Sequence, residues 1–474
     1  MGKRIFWQMY VVHKGNIGRT VGSEEPMQTS LWGIAEKAKR NSKHRFGNLY
    51  GLLNEEMLKD CWRDIRKDAA LGVDRVSAAE YEQNLEENIR RLVERLKSKK
   101  YRARLVRRHY IPKGEGKMRP LGILVVEDKL LQIAVTRILK AIYEVDFLPC
   151  SYGYRPMVGV KDAVKQLTIK LQFGRYNWIV ESDVRSYFDS ISHQWLMRML
   201  EERIDDRAFL RLIGKWLKAG VLETDGRILR PEAGTQQGGS VSAILANVYL
   251  HYVLDLWFEK RFKQSCKGRA FLLRYADDWV CGFEYREDAE RFFTEQGERL
   301  QKFELELSAE KTRVLSFYRI APTGSKEDVG KESIDFLGFE YRWGQDLKGK
   351  PHLKRRTSRK RYRRSLQRFT EWCKKTRNMK NKERFAKLKE KLVGYYNHYG
   401  LPGNLESLQD FFYQAKRILF KWLNRRSQKR SYTWKGFRKL LDQQELPQPR
   451  ITDRGRARTP GVMMAYALDG SEYV

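Results

Sequence analysis

Two adjacent acids inside a strongly apolar stretch constrain this chain more than any other feature. Asp277 and Asp278 follow Tyr275-Ala276, with Phe271-Leu272-Leu273-Arg274 on one side and Trp279-Val280-Cys281-Gly282-Phe283 on the other. The apolar runs read as buried strands of a hairpin whose turn presents the acids. Carboxylates taken out of water without a counter-charge are costly, so the pair calls for a cation. A divalent ion is the simplest one, because hard Mg²⁺ prefers a few carboxylates together with substrate phosphates. Taken alone, the four residues also fit an ordinary solvated turn.

A second constellation lies upstream. Trp178-Ile179-Val180-Glu181-Ser182-Asp183 is an apolar strand ending in an acid, and it continues as Val184-Arg185-Ser186-Tyr187-Phe188-Asp189-Ser190-Ile191. A strand carrying Asp183 beside the hairpin would supply a third carboxylate. Two-metal phosphoryl transfer needs such a cluster, with ions about 4 Å apart.

Tyr275-Ala276-Asp277-Asp278, with Asp183 and Phe188 upstream, resembles the palm of a reverse transcriptase. Further segments resemble the group II intron-encoded reverse transcriptase/maturases. They are Ile111-Pro112-Lys113-Gly114-Glu115-Gly116-Lys117-Met118-Arg119-Pro120-Leu121-Gly122-Ile123, Ser151-Tyr152-Gly153-Tyr154-Arg155-Pro156, Gly234-Thr235-Gln236-Gln237-Gly238-Gly239-Ser240 and Phe336-Leu337-Gly338-Phe339. They occur in family order, and the likeness runs from Phe46 to Ile451. One departure is Ser242-Ala243, where the family usually has a proline after the serine.

The resemblance implies an α+β right-hand polymerase. Fingers and palm, with an antiparallel sheet carrying the acids, would be followed by an α-helical thumb or maturase domain. It implies an RNA-directed DNA polymerase using two Mg²⁺ ions, with Mn²⁺ as a substitute, held by Asp183, Asp277, Asp278 and the Val184 backbone. Gln237 would lie beside the nucleotide, Lys311 near the leaving pyrophosphate, and Phe188 where it blocks a ribose 2′-OH. Lys113 and Arg119, at the position of the fingers, would contact the triphosphate. The bland alternatives are a solvated face for the two fingers cations, a surface lysine for Lys311 and core packing for Phe188. Partners would be an intron RNA template, a DNA primer or target, and dNTPs, in a monomer or a dimer. A domesticated relative in repair or phage defence, and a non-catalytic RNA-binding splicing factor, are the competing readings.

Composition agrees with a polyanionic partner. The 474 residues hold 94 Lys+Arg against 59 Asp+Glu, a formal net charge of +35. Such a surplus on a folded chain favours nucleic acid over a membrane surface. No apolar run is expected to span a bilayer and no signal-peptide core is apparent. The five cysteines (Cys61, Cys150, Cys266, Cys281 and Cys373) form no CxxC pair and read as reduced thiols in a cytoplasmic, nucleoid-associated protein.

Along the chain, residues 1–45 read as a loosely ordered extension in which Trp7 and Trp32 are possible anchors. Residues 46–105 give the helical N-terminal segment of the fingers: a helix over Phe46–Ile65 and another over 80–99. Residues 106–345 form fingers and palm, beginning with a basic hairpin at 104–125. There, Tyr152, Tyr154 and Arg155 would stack on or clamp a template strand, or simply belong to a packed aromatic loop. Phe336–Tyr341 reads as one strand, in the primer-grip region of the resemblance. Residues 346–440 are the thumb or maturase domain, expected to be helical with one basic face. Pro351 to Gly400 carries 18 Lys+Arg against 3 Asp+Glu. Arg355, Arg356, Arg359, Lys360 and Arg363 are its candidate nucleic-acid contacts. Residues 441–474 form the tail. No Cys/His cluster follows Ile451, so target-strand cleavage is not expected and priming would use an existing 3′ end.

Overall fold

In the computed structural model, residues 30–114, 117–319, 332–425 and 431–453 are described, apart from the side chains of 113, 114 and 117. Trp7 lies outside them. The strands in chain order are β1 (Val106–Gly114), β2 (Lys117–Ile123), β3 (Ser151–Tyr152), β4 (Trp178–Asp183), β5 (Val221–Leu222) and β6 (Ile228–Leu229). There follow β7 (Ala270–Tyr275), β8 (Asp278–Phe283), β9 (Arg313–Ser316), β10 (Ile334–Phe336), β11 (Phe339–Gln345) and β12 (Pro351–Thr357). They make three sheets, of order β2-β1-β5-β6, β3-β7-β8-β4-β9 and β10-β11-β12. With helices throughout, the chain is α+β as expected. The central sheet is mixed rather than purely antiparallel, because β3 runs parallel to β7.

The chain divides into two compact units: residues 1–159, 180–281 and 287–314 form one, and 160–179, 282–286 and 315–474 the other. In the first unit, the basic hairpin is present, with β1 antiparallel to β2 and Arg119 opposite Ile111. The range Phe46–Ile65 is not one helix. Asn54 caps a new start at Glu55–Cys61 by accepting from the Met57 N–H at 2.9 Å, and the inward set Leu49, Leu53, Leu58, Cys61, Trp62 and Ile65 is nevertheless buried. The 80–99 helix is likewise divided, into Ala78–Gln83 and Leu85–Lys97.

The described part of the extension begins with a capped helix. Leu31–Arg40 is a helix capped by Ser30, and it packs on the helix Val126–Tyr143. Ile34, Ala35 and Ala38 bury its inner face while Trp32 stays exposed, so Trp32 is not the anchor. Arg203 holds the far end. Its buried guanidinium pairs with Asp146 at 2.8 Å and donates to the carbonyls of His44 (2.8 Å), Asn41 (3.1 Å) and Ala38 (3.4 Å). A cation at a helix C-terminus suits the dipole there.

The helical run Ser240–Ser265 is, against expectation, long and apolar enough to cross a membrane, but 78% of its most apolar stretch is buried inside the protein. It is a core helix. Its regular part ends at Leu250, and His251–Asp255 then widens to i→i+5 bonding.

In the second unit, Phe336–Tyr341 is a hairpin rather than one strand. Leu337 (φ 52°) and Gly338 (φ 82°) both adopt left-handed backbone, the requirement of a tight two-residue hairpin turn. Pro351–Thr357 is a strand, not the start of the helical region. Helices Arg359–Lys375, Asn381–Tyr399, Leu405–Leu423 and Trp434–Gln443 follow. Tyr395 stacks on Phe411 with ring centroids 3.7 Å apart, and Asn404 ties β12 to this region by accepting from the Thr357 N–H at 2.7 Å.

Asp128 shows what burial does to an acid in the first unit. It accepts from the Tyr101 hydroxyl (2.6 Å) and the Arg104 N–H (3.0 Å), yet burial outweighs both and pushes its pKa up to about 6. The folded protein therefore holds this proton more tightly than the unfolded chain does. Its contribution is most favourable below the ordinary aspartate value and is lost as pH rises toward about 6. In urea denaturation, Asp128→Asn should flatten a decline of about 2 kcal/mol over that window; an unchanged pH profile would contradict the assignment.

Candidate active site

The strand β4 is anchored by its apolar middle, with Ile179 and Val180 fully buried. Next to Asp183, the Ser182 hydroxyl donates to the Gln296 side-chain oxygen at 3.1 Å. The Trp279 indole, on β8, donates to the same oxygen at 3.3 Å. One glutamine of the helix Arg286–Lys302 thus holds two strands by residues adjacent to acids. The β7–β8 turn puts Asp277 and Asp278 at the same end of the sheet, with Ala276 in left-handed backbone (φ 56°). Gly153 presses on that turn. It has φ +83°, and a Cβ there would meet the Ala276 nitrogen at 2.9 Å.

The electrostatics record the convergence. Burial raises the Asp277 pKa, and Asp183 raises it further. Asp278 is pushed well above the ordinary carboxylate value by burial and then by Asp183, Asp277 and Glu181. Lys311 is the nearby cation. Its ammonium donates to the Asp183 carboxylate. Burial alone would lower its pKa, but the hydrogen bond and the three acids reverse this and raise it. The backbone delivers Lys311 there: Ser308 N–H donates to the Asp183 carbonyl (2.8 Å), Arg185 N–H to the Glu306 carbonyl (2.9 Å), and buried Val184 bridges Leu307.

Two further candidates join this group. Arg119 donates through Nε to the Gln237 side-chain oxygen at 2.9 Å, and its charge is felt by Asp277. The turn carrying Gln237 lies tight on β2, because Gly122 N–H donates to the Gln237 carbonyl at 2.6 Å. Gly238 (φ +115°) makes that approach possible, since a Cβ would sit 2.6 Å from the Gly122 oxygen. Phe188 adjoins the same turn: its carbonyl accepts from Thr235 N–H at 2.6 Å, and its buried ring meets Tyr154 edge-on at 6.2 Å. The Lys113 side chain lies outside the described residues.

Other candidates are not brought here. Tyr152 is buried in β3, and Arg155 is turned inward to Glu144 (3.0 Å) and the carbonyls of Ser151 (2.7 Å) and Leu148 (3.2 Å). The packed-loop reading fits both, and neither presents a surface to a template. In the second unit, Arg355 is buried and donates to the Thr168 hydroxyl (2.8 Å) and the Pro402 carbonyl, while Arg356 pairs with Glu340. They hold the fold and offer little to a ligand. Arg359, Lys360 and Arg363 are exposed. The sequence alone does not single out Arg274, Asp255 or Gln296. A lone arginine inside Phe271–Tyr275 and a lone acid inside the apolar run Val248–Phe258 were the available signals for the first two.

As the side chains stand, no group of three His, Cys, Asp or Glu residues among the described residues is close enough together to hold an ion. The donor chemistry nonetheless suits one. Three carboxylates of hard oxygen are met by Lys311 and, at Asp277, by the charge of Arg119, and the remaining excess of negative charge matches a divalent cation.

Three acids at one end of a mixed sheet, with a cationic hairpin and a glycine-rich turn beside them, form the arrangement expected of a polymerase palm. Residues 111–341, just under half of the chain, match the reverse transcriptase (RNA-dependent DNA polymerase) family, so the chain carries a domain of that family. It is similar to the group II intron-encoded protein LtrA of Lactococcus lactis subsp. cremoris, with 36% identity over 238 residues, 49% of this chain and 39% of that protein. Protein YkfC of Escherichia coli K12 is 36% identical over 196 residues, covering 40% of this chain and 50% of the relative. An uncharacterized 91 kDa protein in the cob intron of Schizosaccharomyces pombe is 40% identical over 171 residues, 36% of this chain and 21% of the relative. The chain thus spans half or less of the length of these relatives.

The contact under Ala276 gives a direct check. Gly153→Ala requires both a left-handed alanine and displacement of the turn, so it should destabilise the protein by about 1–3 kcal/mol in urea denaturation. A neutral result would mean that the turn is not pressed from this side.

Proposed function

We propose that this chain copies RNA into DNA by two-metal nucleotidyl transfer. The observation that carries the reading is the gathering of charge at one end of the sheet: Asp277 and Asp278 are both raised by burial and then by Asp183, and Lys311 donates to the Asp183 carboxylate. Such a set is costly to hold together unless a divalent cation joins it. Asp183, Asp277, Asp278 and the Val184 carbonyl would hold the ions, Mg²⁺ or in its place Mn²⁺. When bound, they supply activation of the primer 3′-OH and neutralise charge on the triphosphate.

The chain's own residues do the rest. Arg119, oriented by Gln237, offers a planar guanidinium to triphosphate oxygens. Lys311, held protonated beside Asp183, offers positive charge for the leaving pyrophosphate. Phe188, whose carbonyl binds the glycine-rich turn and whose ring meets Tyr154, would exclude a ribose 2′-OH.

We propose further that the template is a group II intron RNA and that the protein assists its splicing and retrohoming, acting in the cytoplasm on intron RNA and target DNA. The likeness to the group II intron-encoded protein of Lactococcus supports this, as does the cation-rich helix Arg359–Lys375, from which Arg359, Lys360 and Arg363 project into solvent. These residues would bind phosphates, so RNA affinity should fall with salt.

Primer extension on an RNA template, with and without Mg²⁺, tests the reading. The double variant Asp277→Ala/Asp278→Ala should lower extension by about 10³-fold or more, with RNA affinity changed by less than about threefold. Normal extension by that variant would remove the proposed centre. Phe188→Ala should admit rNTPs, and continued rejection would return Phe188 to core packing alone.

A further inference from the structure

The strand that delivers the two adjacent acids carries a charge of its own. Arg274 is 0% exposed, in a run otherwise made of apolar side chains. Its Nε and one terminal nitrogen donate to both oxygens of Asp255, at 2.7 and 2.6 Å, and Asp255 is equally buried. That terminal nitrogen also donates to the Ser151 hydroxyl at 2.6 Å. The other donates to the Asn247 side-chain oxygen at 3.1 Å and to the Ala276 carbonyl at 2.8 Å. A guanidinium has five N–H groups, and these five bonds use them all.

The last of these bonds is the informative one. Ala276 immediately precedes Asp277 and sits in left-handed backbone, so its peptide orientation decides where both acids point. The partners are brought in by the core helix. Asn247 lies on its regular part and also donates to the Gly153 carbonyl at 2.9 Å. Asp255 closes the first widened i→i+5 segment, a kind of insertion that is frequent at functional sites. The turn is therefore gripped through the Ala276 carbonyl and pressed by Gly153.

We propose that Arg274 is a positioning residue: by bridging Asp255 and Asn247 to the Ala276 carbonyl, it locks the turn that aims Asp277 and Asp278 at a divalent ion. This rests on the polymerase reading above and deepens it. Only a guanidinium supplies the geometry. A lysine keeps the charge beside Asp255 but has a single nitrogen, which cannot span Asp255, Ser151, Asn247 and the Ala276 oxygen together.

The test compares three variants of the full-length protein by thermal melting, Mn²⁺ binding followed by electron paramagnetic resonance, and steady-state primer extension. Arg274→Lys should bind Mn²⁺ about tenfold more weakly and lose about tenfold to a hundredfold in kcat, while KM for dNTP stays within about threefold. Arg203→Lys disturbs another buried guanidinium, one that bonds none of the hairpin. It should melt earlier yet keep both Mn²⁺ affinity and kcat. Arg274→Met/Asp255→Leu removes both buried charges, which cores often tolerate. It should fold without recovering either property, and it keeps the test open if Arg274→Lys does not fold. Wild-type Mn²⁺ affinity and kcat in either folded Arg274 variant overturn the inference. A wild-type protein that binds Mn²⁺ through these acids but never extends a primer would overturn the polymerase reading instead, leaving the positioning role to stand on Mn²⁺ binding.

Discussion

Repulsion among three carboxylates at adjacent strand ends is the force against which much of the first unit is built. Asp277 and Asp278 hold their protons more tightly than ordinary acids because each is removed from water and set near the others. Nothing in a sheet's hydrogen bonding favours that arrangement. It persists because buried neighbours over-determine it: Gln296 links β4 to β8, Arg274 fixes the turn, and the segment from Glu306 carries Lys311 alongside Asp183. Strain kept at one edge and supported elsewhere is the usual signature of a site arranged for binding.

The support is itself polar. Arg274 and Asp255 form an ion pair sealed from solvent, and such a pair adds little net stability compared with apolar residues of similar volume. Its retention makes sense where orientation matters more than stability. The same holds at Gly153 and Gly238, two positive-φ glycines that let one backbone lie against another. One lies against the acid-bearing turn, and the other sets Gln237 against β2, within reach of Arg119.

The acids were legible in the sequence because short apolar runs around paired carboxylates leave few other folds open. The basic hairpin and the core faces of the helices were legible for the same reason: periodicity records burial. What periodicity does not record is direction. Arg355 lies in a basic segment and looks like a nucleic-acid contact, but Leu353, Arg355 and Thr357 alternate inward on β12, and its guanidinium is spent on Thr168 and Pro402. Tyr152 and Arg155 are likewise turned into the protein, so of template contact and packed loop the second fits them. Leu337-Gly338 hid a turn because leucine seldom takes left-handed backbone. Trp32 drew attention by size, while the helix is seated by the smaller Ile34, Ala35 and Ala38. Arg274 was visible all along as a charge in an apolar strand, but its partner lies 19 residues earlier on a different element.

The hairpin also carries its own reporter. All five cysteines are free, and two of them lie against this core: Cys281 within β8, and Cys150, whose carbonyl accepts from the Arg274 N–H at 2.8 Å. Burial pushes both thiols well above their ordinary pKa. Thiolate is the reactive form, so both are chemically silent while the sheet is closed. Alkylation at either position would therefore time the rare moments when the sheet behind the acids opens, a clock for local breathing that needs no label to be engineered in.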